Sequence, residues 1–202
     1  MSEVEIANGC VKAPGGTWLV AADQPVASSA ACRVKGQKGL FVSDRPYLRV
    51  AEAVGDIWCA AAGRPFLVRL DALPDEPLDV VSGKVLIAPS EARLGARCLK
   101  TIPFSLRGSI AVTEFRGGWA VASTRSRVTR VAVDEGGLLA VRPEALVAWI
   151  GGNPTGSCPK LGLADLLLPR AARNLVVDFH GPAVVWFEGS APAVGPVRRA
   201  RR

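Results

Sequence analysis

Hydrophobic and polar positions along this chain alternate in short bursts rather than in long helical stripes. The apolar runs within "GTWLVAA", "KGLFVSD" and "VVDFHGPAVVWF" are at most five residues long and stop at a polar, Gly or Pro position. Short apolar runs rich in Val, bounded by turn formers, predict β-strands. Pro65–Pro89, "PFLVRLDALPDEPLDVVSGKVLIAP", and Arg125–Trp149, "RSRVTRVAVDEGGLLAVRPEALVAW", carry the same pattern 60 residues apart. Val68 falls on Val128, Leu78 on Leu138, Val81 on Val141, and Leu86-Ile87-Ala88 on Leu146-Val147-Ala148. Each copy has two apolar runs around a turn-rich centre and a third after "SGK" or "RPE", which predicts a β-meander.

A second set of segments recurs with it. "EAVGDIW", "EFRGGWAV" and "DFHGPAVVW" each place an acid, two residues, a glycine and an apolar run in that order. The acids Glu52, Glu114 and Asp178 lie 62 and 64 residues apart, and Gly55, Gly117 and Gly181 keep that spacing. The expectation is a strand, a glycine turn and a return strand, three times over. The fold class predicted is all-β, a β-sandwich of repeated antiparallel meanders with pseudo-symmetric copies. One short helix is expected near 161–168, where Leu163, Leu166 and Leu167 sit at i, i+3 and i+4 before Pro169. The domain reading is a single unit over 1–190, with copies at about 47–98, 110–157 and 174–190. A Pro/Arg-rich, disordered tail is expected over 191–202.

Composition changes this picture little. At 202 residues, 49% hydrophobic and 21% charged, the chain is long and apolar enough to bury a core. The formal charge of +7 draws four of its units from Arg198, Arg199, Arg201 and Arg202. Those arginines are the one candidate contact for nucleic acid or an anionic surface, by counterion release. No aromatic residue is interleaved among them for base stacking. The N-terminus is acidic and lacks a signal-peptide pattern, and no apolar run reaches membrane-spanning length, so a cytoplasmic protein without a transmembrane segment is expected.

Candidate chemistry is sparse. Cys10, Cys32, Cys59, Cys98 and Cys158 form no CxxC and no Cys/His cluster, so neither a metal nor a cofactor is expected. His180 is the sole histidine, and across the three copies its position is occupied by Val54, Arg116 and His180. That variety predicts a turn-flanking residue rather than a base or ligand, and no GxSxG elbow accompanies it. Glu52, Glu114 and Asp178 are read as solvent-face residues beside turns, with convergence on a polar or sugar-binding site as the alternative. Trp18, Trp58, Trp119, Trp149 and Trp186 are read as core and interface anchors, since three of them follow the repeated glycine at offsets of three, two and five. "SGKV" is no P-loop, and the proline in "NPT" excludes glycosylation at Asn153.

"GDIWCAAAGRPFLVRLDALPDEPLDVVSGKVLIAPS", "GSIAVTEFRGGWAV", "GGLLAVRPEALVAW" and "NLVVDFHGPAVVWFEGS" together resemble the altered-inheritance-of-mitochondria family over roughly Tyr47 to Ser190. The resemblance implies a fold similar to the tryptophan RNA-binding attenuation protein, built of repeated meanders and often self-associating, with no catalytic residues to carry over. The chain departs from that pattern in its shortened N-terminal region, in lacking a long glycine-rich loop and in its arginine tail. The function expected is therefore a non-enzymatic scaffold or assembly protein that self-associates or docks an unknown protein partner. A nucleic-acid-binding module and a sugar-binding domain are the alternatives.

Overall fold

The computed structural model describes residues 4–7, 9–22, 26–36, 41–42, 45–46, 48–61, 65–100, 109–152, 154–157 and 176–189. Regular structure among them is strand, apart from one 3-10 turn at Ser82–Lys84. The first stretch of chain holds β1 (Glu5–Ala7), β2 (Cys10–Ala13), β3 (Gly16–Ala21), β4 (Val26–Ser28) and β5 (Cys32–Gly36). It continues through β6 (Phe41–Val42), β7 (Arg45–Pro46), β8 (Leu48–Ala53) and β9 (Ile57–Ala60). The second holds β10 (Phe66–Asp71), β11 (Leu78–Val81), β12 (Val85–Pro89), β13 (Arg93–Lys100), β14 (Ser109–Arg116) and β15 (Trp119–Thr124). The third holds β16 (Val128–Val133), β17 (Leu138–Val141), β18 (Leu146–Gly151), β19 (Thr155–Ser157), β20 (Val176–His180) and β21 (Ala183–Glu188). The helix expected near 161–168 and the tail 191–202 lie outside the described residues.

Two six-stranded sheets form the centre, ordered β10-β15-β12-β3-β8-β5 and β16-β21-β18-β11-β14-β13. Two smaller sheets, β1-β2-β9-β4 and β17-β20-β19, lie outside them, with β6 and β7 as a separate ribbon. All the strand ladders are antiparallel.

The all-β, antiparallel sandwich is what the apolar pattern predicts, but the glycine turns connect it differently. The strands on either side of each repeated glycine do not pair as a hairpin. β8 and β9, β14 and β15, and β20 and β21 each belong to two different sheets. The glycine is a corner at which the chain leaves one layer for another. Gly117 and Gly118 both sit at φ +77°, a left-handed backbone that side chains with a Cβ disfavour. At Gly181 an added Cβ would run into the backbone carbonyl of Asp134.

Each central sheet therefore draws on two parts of the chain. The first joins β3, β8 and β5 to β10, β15 and β12 through the β12–β3 ladder, Ile87↔Val20, Ala88↔Leu19 and Pro89↔Trp18. The second joins β11, β14 and β13 to β16, β21 and β18 through the β11–β18 ladder, Leu78↔Ile150, Asp79↔Trp149 and Val80↔Ala148. We call these two sheets shared and the two ladders seams. The seam strands are buried on both faces, which explains why "VLIA" and "LVAWI" read as unbroken apolar runs. Outer strands such as β2 and β17 alternate instead.

Three apolar cores lie in series between the layers. One, with Val11, Ile57, Cys59, Trp18 and Trp119, packs β1-β2-β9-β4 on the first shared sheet. A second, with Leu19, Leu70, Leu78, Phe115 and Ile150, fills the space between the shared sheets. A third, with Trp149, Leu139, Phe179 and Val185, packs β17-β20-β19 on the second shared sheet. Each fully buried Leu, Ile or Phe in such a core stabilises the fold by about 1.5–3 kcal/mol.

Candidate functional site

The three recurring acids sit on equivalent strands, each three residues before its corner glycine and each on a different sheet. Glu52 is on β8 in the first shared sheet, Glu114 on β14 in the second, and Asp178 on β20 in the outer sheet. Glu52 is an exposed ion pair with Lys35 at 2.8 Å, and that hydrogen bond holds its carboxyl below the usual range. Glu114 accepts from Arg116 Nε at 2.6 Å. Asp178 lies across from Ala140 on one side and Thr155 on the other. No group of three metal-ligating side chains occurs among the described residues.

His180 ends β20 opposite Leu138 and is exposed. Among the described residues its imidazole has no hydrogen-bond or ion-pair partner. Of the cysteines, Cys10 and Cys32 are half-buried, while Cys59 is fully buried and desolvation pushes its thiol up to about 12. A thiol held that far above neutral pH is a small apolar core residue, not a nucleophile.

The tryptophans divide by layer. Trp18 and Trp119 pack together at the first core, ring centroids 5.9 Å apart, and Trp149 packs on Phe179 at 5.7 Å in the third. Each of the three tryptophans that follow a glycine corner has a cation over its ring. Lys12 stands 5.8 Å from Trp58, Arg69 4.9 Å from Trp119, and Arg130 5.7 Å from Trp186. The cations come from β2, β10 and β16, the strands that flank β9, β15 and β21. This recurring cation–π pair is absent from the sequence reading, which compared only offsets from glycine. Lys12 and Arg130 stand directly across from Trp58 and Trp186 in their ladders, while Arg69 stands across from Val121 and reaches Trp119 diagonally, so no single sequence offset marks the three pairs.

Two further features emerge only from the fold. At the second seam Asp79 is 4% exposed and its carboxylate is gripped by Arg97 through both Nε, at 3.3 Å, and a terminal guanidinium nitrogen. Burial pushes the Asp79 carboxyl up, and the Arg97 guanidinium opposes that shift. Arg97 also covers the ring of Trp149, whose buried Nε1 has no hydrogen bond of good geometry among the described residues, although the indole acts weakly on the neighbouring Asp79 carboxyl. Separately, the corner Gly15–Gly16 faces the corner Gly117–Gly118 across a cleft of about 690 Å³ with Arg93, Arg116 and Glu91 at its rim. Trp18 and Trp119 also line it but are each only 6% exposed, their rings packed on each other and Arg69 lying over Trp119. Neither presents the open ring face that sugar or base stacking requires.

Arg198, Arg199, Arg201 and Arg202 lie outside the described residues. No helix among the described residues is long and apolar enough to cross a membrane.

Comparison with known proteins adds a fold. No family model matches the chain, and no curated protein matches it either. The chain superposes with a TM-score of 0.69 on the crystal structure of a Streptococcus pyogenes protein solved as a structural-genomics target. The likeness covers 94% of this chain and 93% of that one at 14% identity. At that identity what the two share is the all-β architecture.

Proposed function

We propose that this protein is a non-enzymatic β-sandwich scaffold that works by self-association or by docking a protein partner. What carries the reading is the placement of its reactive side chains against that of its apolar ones. Glu52 and Glu114 are committed to neighbouring cations, Cys59 to a core, and Trp18, Trp119 and Trp149 to packing. Apolar side chains meanwhile reach the surface on strands, among them Ile6 at 37%, Phe66 at 46% and Leu138 at 46% exposure. Exposed apolar groups on sheet edges are sites where another chain can be covered. The resemblance to the altered-inheritance-of-mitochondria family and a cytoplasmic site of action belong to this same reading.

Multi-angle light scattering across about 1–100 µM, with affinity capture from native cells, tests it. Concentration-dependent assembly or a stoichiometric partner is expected. A chain that stays monomeric throughout and retains no partner overturns the proposal.

A further inference from the structure

The order of strands in the sheets repeats, and the repeat has two unfinished ends. Six strands form a unit: β2, β3, β4, β5, β8 and β9 in the first, where the β6–β7 ribbon is inserted, β10 to β15 in the second, and β16 to β21 in the third. In every unit the first, last and third strands lie side by side, as β2-β9-β4, β10-β15-β12 and β16-β21-β18. The second, fifth and fourth do the same, as β3-β8-β5, β11-β14-β13 and β17-β20-β19. Each shared sheet is made by docking the third strand of one unit on the second strand of the unit before it. β12 thus pairs with β3, and β18 with β11.

By the same rule β4 calls for a preceding β17-type strand, and β17 for a following β4-type strand. Among the described residues β4 pairs only with β9, and β17 only with β20. Each outer sheet thus ends, among the described residues, at the strand type that the two shared sheets use for their seams. Burial marks the difference. β12 and β18 are buried along nearly their whole length, whereas β4 has no buried residue and Ala27 is exposed. The seam strands β3 and β11 bury Trp18, Leu19, Leu78 and Val80, whereas on β17 Leu138 and Ala140 are exposed. Trp58 repeats the contrast on the sheet's face. Its counterparts Trp119 and Trp186 pack against the core of the preceding unit, while Trp58 belongs to none of the three cores.

We propose that β17 of one molecule docks on β4 of a second copy of this chain, completing a seven-stranded sheet that has the six-strand order of the two inside each molecule with β1 added at its edge. The occupant is a second copy because the two open edges are the two strand types that already recognise each other twice within the fold. The cores run in series, with β1-β2-β9-β4 against the first shared sheet and β17-β20-β19 against the second. No ladder or common core joins β4 to β17 of the same molecule among the described residues. Backbone hydrogen bonds across the new seam supply affinity, and covering Leu138 and Trp58 adds apolar burial. Because β4 and β17 differ, the contact is head-to-tail, so the assembly either closes as a ring or runs on as a filament.

The inference rests on the scaffold reading, and names its interface. The test uses two full-length variants, each with one edge spoiled: Ala27→Lys on β4 and Leu138→Lys on β17. Both positions are exposed in the single chain, so folding should persist, and a lysine facing a desolvated seam should weaken it about tenfold or more. Light scattering should show the parent chain as an oligomer and each variant alone as a monomer. An equal mixture should give a species of two chains and nothing larger, since it holds one intact edge of each kind. A parent-like circular dichroism spectrum and a single cooperative melt certify the fold, the midpoint itself falling with loss of assembly, and Ala140→Glu replaces Leu138→Lys if either is missing. A parent that is monomeric at about 100 µM overturns both the seam and the self-association reading. A parent that assembles while both variants assemble equally well, or a mixture that stays monomeric, overturns the seam and leaves the scaffold standing.

Discussion

The two seams inside the molecule have the same strand order and opposite chemistry. At the first, Leu19 of β3 sits between Ala88 and Val50, apolar on both sides. At the second, Asp79 of β11 occupies the corresponding central place between Trp149 and Glu114, and its charge is met by Arg97 from one strand further out. A buried ion pair returns little net stability, because desolvating the charges costs nearly what their attraction gives back. It does fix which strand lies where, since a slipped register would leave the carboxylate buried without its guanidinium. The comparison teaches that apolar packing suffices to close a shared sheet, and that polar pairing at the second seam adds register more than strength.

Removing packing should break the comparison hardest. Trp149→Ala at the second seam should cost about 3–5 kcal/mol, and Leu19→Ala at the first about 2–5 kcal/mol. Urea unfolding measures both, and losses under 1 kcal/mol would mean that the seams are not the rigid parts of the sheets. Arg97→Met comes next, with a loss of about 1–3 kcal/mol at neutral pH, discounted because the Arg97 side chain is 43% exposed. That loss should shrink on acidification, as Asp79 takes up a proton and no longer needs its partner.

Ser82→Ala should cost about 1 kcal/mol by removing the buried 2.8 Å hydrogen bond between Ser82 and Thr113 beside the second seam. Asp79→Asn should move stability at neutral pH by less than about 1 kcal/mol, and its value lies in the pH profile. With the folded carboxyl raised above its unfolded value, the native state binds the proton more tightly. Asp79 therefore favours folding in acid and loses that contribution as pH climbs from the ordinary carboxylate range through its folded value. Asp79→Asn should remove this slope; an unchanged profile would place its origin elsewhere. Least perturbing of all, a thiol reagent at pH 8 should leave native Cys59 unmodified and label it only in denaturant.

Strand positions were legible in the sequence, and strand partners were not. "PFLVRLD" and "RSRVTRVAV" do hold β10 and β16, because alternation and turn residues are local signals. The glycines of "EAVGDIW", "EFRGGW" and "DFHGP" read as hairpin turns because a tight turn and a corner between layers need the same backbone freedom. Only long-range pairing distinguishes them, and β12 meets β3 across more than a unit's length of chain. The Asp79–Arg97 pair stayed hidden for a related reason: "LDVV" looks like an outer strand with one polar face. His180, a turn-flanking residue in the sequence, stands at the end of β20 beside its corner.

A chain built by docking later strands on earlier ones cannot finish its parts in the order in which they are made. Trp18, Leu19 and Val20 emerge from the ribosome long before Ile87, Ala88 and Pro89 arrive to cover them. Leu78 and Val80 wait in turn for Ala148 and Ile150. Nascent copies of this protein thus hold sticky, half-built layers through much of translation, and polysomes making it are where chaperones would find the most to do.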